Sequence, residues 1–492
     1  MIKRIAGMLA ISAALCAAVA AQPVPVTEDT GSTQKTEPIQ AELVPNSDPI
    51  EYDMAQTEFG AVRELELKDT LTPASDYDRI FPYAAQIIGW KQDGTAVYRY
   101  AMADEAGEQI TNPVYTSVKR EACSETAVWI LENITEDGKQ ISCAAEDGSW
   151  VIGPIYGSIQ VTEGYVLVQR SDTPDTKVYK DGELLGTMTG TMVSCSDGIF
   201  VSRKTTEQSD IWYIYEAEDM EELAELTAYQ IGVFSDGYAT MQTAENQWAV
   251  VDTHGVIIPF GDAAWMDEVC NGYVLVQNTK GKFGVAQVSG KEAVAFDYIN
   301  GTHCSEDYPL YQLWESETEC QVISANKGQK LELPEDVQAQ KLTALPDNYF
   351  AYLDADGCSV IFDDLKRVVL DGEAQFYEQK DMLICATADG YQLFDLEDGS
   401  VSKLIAYQYT SAEENIDSNI NVFPITDPKT GLQGIGNIRG RMVLQPEYDS
   451  ICCAGGSYYM AIQDGWSGIV DSNGRWLVRI RLAGANREGN DK

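Results

Sequence analysis

The chain has 492 residues, with 34 Lys plus Arg against 77 Asp plus Glu, a formal charge of −43. That balance excludes the basic footprint a nucleic-acid binder needs and disfavours docking onto an anionic bilayer. Two histidines leave little room for imidazole catalysis or zinc chemistry, while a hydrophobic share of 44% is enough to bury a core.

The first 21 residues read as a secretion signal. Lys3 and Arg4 precede an uncharged, Ala-rich run over 5–19, and Ala18-Val19-Ala20 supplies small residues for cleavage after Ala20 or Ala21. The run is too short to span a bilayer comfortably. Two alternatives are a retained anchor helix and a lipid anchor on Cys16, the latter disfavoured by the bulky Leu15 before it. No later stretch is long and apolar enough to span, so no membrane span is expected in the mature chain. The expected location is secreted or cell envelope.

Residues 22–75 read as a mostly disordered linker. Pro23, Pro25, Pro38, Pro45 and Pro49 interrupt a Thr/Glu/Gln-rich stretch too poor in large apolar groups to offset its ordering entropy. Alternation of Phe59, Val62, Leu65 and Leu67 allows an edge strand within 56–70. Residues 76–482 are the globular body, and 483–492 form a tail.

The body is one phrase used many times. GYVLVQ stands at 164–169 and again at 272–277, with GYATMQ at 237–242 between them. Pro-x-Tyr-x-Ser followed by Val or Ile recurs as PVYTSV (113–118), PIYGSI (154–159) and PEYDSI (446–451). A third phrase reads WAVVD at 248–252, SGIVD at 467–471 and, more loosely, KFGVAQ at 282–287. One landmark column runs through Ala101, Gln140, Lys177, Tyr213, Ala249, Gly284, Gln321, Val360, Gln392, Gly434 and Gly468, in steps of 32 to 42 residues averaging near 37. A fixed period of that size means a solenoid, a propeller or a similar array.

Inside a unit the apolar period is two, as in Tyr165-Val166-Leu167-Val168, and β-branched and aromatic residues are dense. Eleven Asp-Gly and three Asn-Gly dipeptides supply hairpin turns. The expected fold is all-β: about eleven three-stranded meanders of about 37 residues. Closed propellers typically hold four to eight blades, so eleven units imply two propellers or an open superhelix. Trp248, Phe283 and Trp466 are expected to be buried at matching places. The one helix-like stretch is 218–226.

These phrases resemble the WG-repeat, or KWG, family of bacterial β-repeats. The likeness sits in GKFGVA at 281–286, NQWAVVDTHGVIIP at 246–259, RGRMVLQPEYDSI at 439–451 and DGWSGIVDSNG at 464–474, although an intact Trp-Gly dipeptide is absent. The resemblance implies an extracellular or surface binding role and no catalytic residues.

Chemistry-bearing residues are few. His254 falls in a turn, Asp252-Thr253-His254-Gly255. His303-Cys304 with Cys320 has no zinc-site spacing. Asp354-x-Asp356-Gly357, followed by Asp363 and Asp364, is half a calcium loop without its bidentate Glu. Cys123, Cys195, Cys270, Cys304, Cys452 and Cys453 share one part of the unit. They are expected as small buried hydrophobes, with a Cys270–Cys304 or Cys304–Cys320 bridge as the alternative. No catalytic, cofactor or metal residue is assigned. The expected function is an exported, non-enzymatic binding or scaffolding repeat protein recognising a protein, peptide or glycan. The rival is an exported carbohydrate-active or other hydrolytic enzyme using paired carboxylates on the β array.

Overall fold

The computed structural model describes residues 79–482, with breaks at 91–95, 122, 124–126, 208, 245–246, 306–307, 332, 334–336, 363–366, 380 and 411–420. It also describes the backbone of three short strands ahead of them, Gln56–Thr57, Gly60–Ala61 and Glu64–Lys68. The signal segment, most of the 22–75 linker, the 483–492 tail and Asp363-Asp364 lie outside the described residues.

The described strands group into eleven antiparallel units in chain order, most of them four-stranded. The sixth is typical: Ala263–Cys270, Tyr273–Asn278, Phe283–Gln287 and Glu292–Tyr298, each hydrogen-bonded to the next. The extra strand relative to the expected three is the first one. It is often short, as in Gln230–Ile231 and Thr343–Ala344, and too brief to carry a period of its own. Ten of the eleven landmark residues fall on the third strand of a unit; Ala101 falls on the second of its unit.

The Pro-x-Tyr-x-Ser phrase marks the corner between units. Val151–Thr162 runs through one such corner, its start pairing with Gly138–Ala145 and its end with Tyr165–Arg170, so the second and third units form one seven-stranded sheet. Gly157 sits at the bend with φ 152°, where a Cβ would lie 2.0 Å from the Gln169 carbonyl oxygen, so only glycine fits. At the last corner Met442–Tyr448 is followed after one residue by Ser450–Cys453.

Residues 218–226 are not helical. Glu222–Thr227 is the last strand of the fourth unit, with Ala224 opposite Ile214 and Leu226 opposite Trp212. The hairpin partner overrides the helix propensity of a Glu/Leu/Ala-rich run.

Each unit buries its face on the next. Tyr165 and Leu167 of the third unit pack with Phe200 and Tyr215 of the fourth. Val250 of the fifth packs with Met266, Val274 and Val276 of the sixth. Tryptophans add a polar tie across some of these joints: Trp212 Nε1 donates to the Ala228 carbonyl (3.0 Å) and Trp248 Nε1 to the Ala264 carbonyl (2.9 Å), each sixteen residues on. Trp248, Phe283 and Trp466 all lie at the start of a third strand opposite a glutamine, Gln242, Gln277 and Gln463. They are half-buried rather than buried, because this end of the strand lies at the margin of the inter-unit core.

The array closes on itself once. One core holds Ile80, Phe81 and Tyr83 of the first unit, Trp129 and Leu131 of the second, and Met460, Ile469 and Val478 of the eleventh. Every consecutive pair of units shares a core, and the last pair joins unit eleven to unit one, which gives a single propeller-like ring in place of two propellers or an open superhelix. At the seam Phe81 packs at a tilt against Tyr458 (4.8 Å between centroids), whose hydroxyl donates to Glu105 (2.5 Å). The seam also carries a charged cluster. Glu146, only 4% exposed, takes Arg120 at 2.7 Å and Arg79 at 3.2 Å, and the loop at Gly455 and Gly456 lies directly against all three side chains. The first unit completes itself with the upstream strand Glu64–Lys68, which pairs in parallel with Gln109–Thr111. The edge strand expected within 56–70 is therefore present.

Candidate functional site

The histidines are parts of hairpins. His254 is exposed in the turn after Gln247–Asp252, its N–H donating to Asp252 Oδ1 (3.0 Å), and Gly255 takes the positive φ of 79°. His303 ends its strand, with Nε2 3.0 Å from the Tyr308 carbonyl and its ring 4.9 Å from that of Tyr311. Cys304 donates to the Leu310 carbonyl (3.2 Å). Burial first, and Cys320 second, push the Cys304 thiol up to about 12, and burial raises that of Cys320 to about 11. Thiols that hold their protons this firmly are poor metal ligands and poor nucleophiles. His303, Cys304 and Cys320 are not gathered into a ligand set.

The half calcium loop is a turn lock. Asp354 Oδ1 accepts from the N–H groups of Asp356 (3.0 Å) and Cys358 (2.8 Å). The same two-bond pattern is made by Asp252, Asp471, Asn278 and Asn437. A neutral asparagine does this work as well as an aspartate, so the pattern needs no cation. This also accounts for part of the acidic excess. From urea unfolding we expect Asp354→Asn to leave the unfolding free energy within about 0.5 kcal/mol of wild type, and Asp354→Ala to cost about 1 kcal/mol.

Asp471 is the exception in kind. Burial works against its charge, but the N–H groups of Arg475 and Asn473 and the Arg475 guanidinium outweigh that and hold its carboxyl below the usual carboxylate range. Both guanidinium donors converge on Oδ2, Nη2 at 2.7 Å and Nε at 2.8 Å, while Oδ1 accepts from the two backbone N–H groups. A depressed carboxylate contributes stability above its unfolded pKa, and that contribution is lost as pH falls through the folded value. Urea midpoints should therefore show Asp471→Asn lagging wild type at pH 7, with the gap closing below about pH 4.

None of the ten cysteines among the described residues is in a disulfide, so neither bridge is formed. Cys143, Cys270, Cys385, Cys452 and Cys453 are buried and the other five half-buried. Thiol-reagent labelling of the native chain should be slow at Cys143 and Cys385 and complete only on unfolding. A 270–304 or 304–320 linked peptide in a non-reducing map would contradict the burial reading.

Among the described residues, one acidic triple, Glu216, Asp219 and Glu221, brings carboxylates within 4.8 Å of one another, exposed around the turn after Asp210–Glu216. A polar cavity of about 40 Å³ between the third and fourth units is lined by Gln169, Thr176 and Thr191 and has room for a water or two, not a sugar ring.

The eleventh unit holds a feature that the sequence reading missed. Trp466, Gly468 and Val470 lie on one face of their strand, and opposite them stand Arg481, Arg479 and Trp476. A register shift between Ile469 and Val470 puts Trp476 on the same face as the two arginines. Gly468 has φ 159°, and a Cβ there would sit 1.8 Å from the Val478 carbonyl oxygen. The strands approach this closely only because residue 468 is glycine, and Arg479 lies near two indoles, 4.7 Å from the Trp466 ring centre and 5.3 Å from that of Trp476. Arg481 lies 5.5 Å from Trp466. The signal in the sequence was Trp-x-x-Arg-x-Arg at 476–481.

No family model matches this chain, and no curated protein matches it in sequence. Solved structures match at low identity. AztD from Citrobacter koseri is 14% identical over 55% of this chain and 90% of its own, with a TM-score of 0.31. BamB from Moraxella catarrhalis is 11% identical over 64% and 94%, TM-score 0.26. Sqt1 from Saccharomyces cerevisiae is 11% identical over 66% and 95%, TM-score 0.28. Likeness at this level does not extend to function. Among the described residues, no helix is long and apolar enough to cross a membrane.

Proposed function

We propose that this protein is an exported, WG-repeat-like binding or scaffolding ring that recognises a protein, peptide or glycan and performs no chemistry of its own. The observation that carries the reading is how its reactive-looking groups are spent. Histidines and aspartates close hairpins, and thiols fill inter-unit cores with burial holding their protons on. What remains outward is a broad, rigid surface, the usual asset of a repeat array. The N-terminal segment with Lys3, Arg4 and Ala18-Val19-Ala20 supports export.

The test uses the full chain purified from the exported fraction of its host. N-terminal sequencing should begin at Ala21 or Gln22, and Met1 on the secreted form would defeat the export reading. Glycan and peptide arrays should return a saturable ligand. Release of reducing ends from polysaccharides, abolished by a single carboxylate substitution, would instead establish the hydrolase.

A further inference from the structure

Carboxylates outnumber cations by 77 to 34 in this chain, and its arginines find them easily. Arg475 takes Asp471 with two donors on Oδ2, and Arg170 takes both oxygens of Asp172, at 2.9 and 3.1 Å. Among the described residues, Arg479 and Arg481 take none. Arg479 Nε is buried with no hydrogen-bond partner, and the nearest polar contact of Arg481 is a long one, 3.5 Å from Nη1 to the Asp464 carbonyl. Their guanidinium carbons lie over indole rings, contacts that restrict the side chains without neutralising their charge. Arg481 is exposed, so the pair opens to solvent.

We propose that Arg479 and Arg481, fixed by Trp466 and Trp476, form a binding site for a single carboxylate on an otherwise uncharged small ligand, carried by a sugar acid or by a peptide C-terminus. A guanidinium presents parallel N–H donors that match the two oxygens of a carboxylate. Two of them, already stacked, spend little rotamer entropy on capture. The acidic field of the rest of the chain selects against polyanions, whose further charges would sit beyond the local pair and be repelled. A ligand with one negative charge meets the least of that repulsion. The site is independent of the proposed function: it needs neither export nor a macromolecular partner.

The experiment is calorimetric titration of the full chain at low salt with D-glucuronate, N-acetylglycine and, as the uncharged control, D-glucose. At least one acid should bind saturably at one site, glucose should not, and 0.5 M salt should weaken the binding. Arg479→Gln should weaken it at least tenfold and Arg481→Gln several-fold, while Arg170→Gln leaves it unchanged. Because Arg481 is exposed, its variant tests the site even if Arg479→Gln fails to fold. Glucuronate alone binding assigns the sugar acid, N-acetylglycine alone the peptide terminus. No saturable binding of either acid, or equal binding by wild type and Arg481→Gln, overturns the proposal.

Discussion

Trp129→Ala should lower the stability of the ring by about 3–5 kcal/mol, read as a fall in the urea midpoint at unchanged slope. Trp129 is fully buried in the one core shared by the first, second and eleventh units. Truncation opens a cavity among rigid strands that cannot collapse into it. It also removes the Nε1 donor to the Ile80 carbonyl (3.0 Å), leaving a buried acceptor unpaired at the start of the closing strand. Trp129→Phe keeps most of the volume and should lose about 1–2 kcal/mol, chiefly from that orphaned carbonyl. Equal losses for the two variants would mean that packing contributes little at the seam.

Glu146→Gln should cost about 3–5 kcal/mol, although it is nearly isosteric. The carboxylate lies between Arg79 and Arg120, and Arg120 has a side-chain exposure of 12%. Removing the charge leaves buried guanidinium without its counter-ion, which is costlier than the pair is worth. A double variant, Arg120→Met with Glu146→Met, should therefore recover much of the loss of Glu146→Gln. If the double variant is instead the worse of the two, the pair is a net stabiliser, and the double-mutant cycle will give its size.

The repeat was legible because each unit meets the same demand. The second and third strands carry the buried stripe, so GYVLVQ and WAVVD recur where packing is strictest and period two is strongest. First strands such as Gln230–Ile231 are two residues long and leave no period to read. Closure was not legible either. It is made by contacts between residues as far apart as Glu105 and Tyr458, and no local pattern encodes such a pairing. Residues 218–226 misled because Glu, Leu and Ala favour helix when no partner strand is known. The Asp354 turn was ambiguous in sequence because a lock and half a metal loop use the same residue in the same place. The Trp–Arg stack was hidden by a register shift, since strict alternation would send Trp476 and Arg479 to opposite faces.

The single seam has a consequence for how copies of the chain meet one another. Opening it exposes two faces, that of the first unit with Phe81 and that of the eleventh with Met460 and Ile469, which are complementary but not alike. Joined within one molecule they make a ring. Joined between molecules they form a head-to-tail contact, which with no rotation to close it propagates as a filament. Variants that loosen the seam should therefore assemble at high concentration while dilute samples stay monomeric, each added copy repeating a contact that the ring already makes with itself.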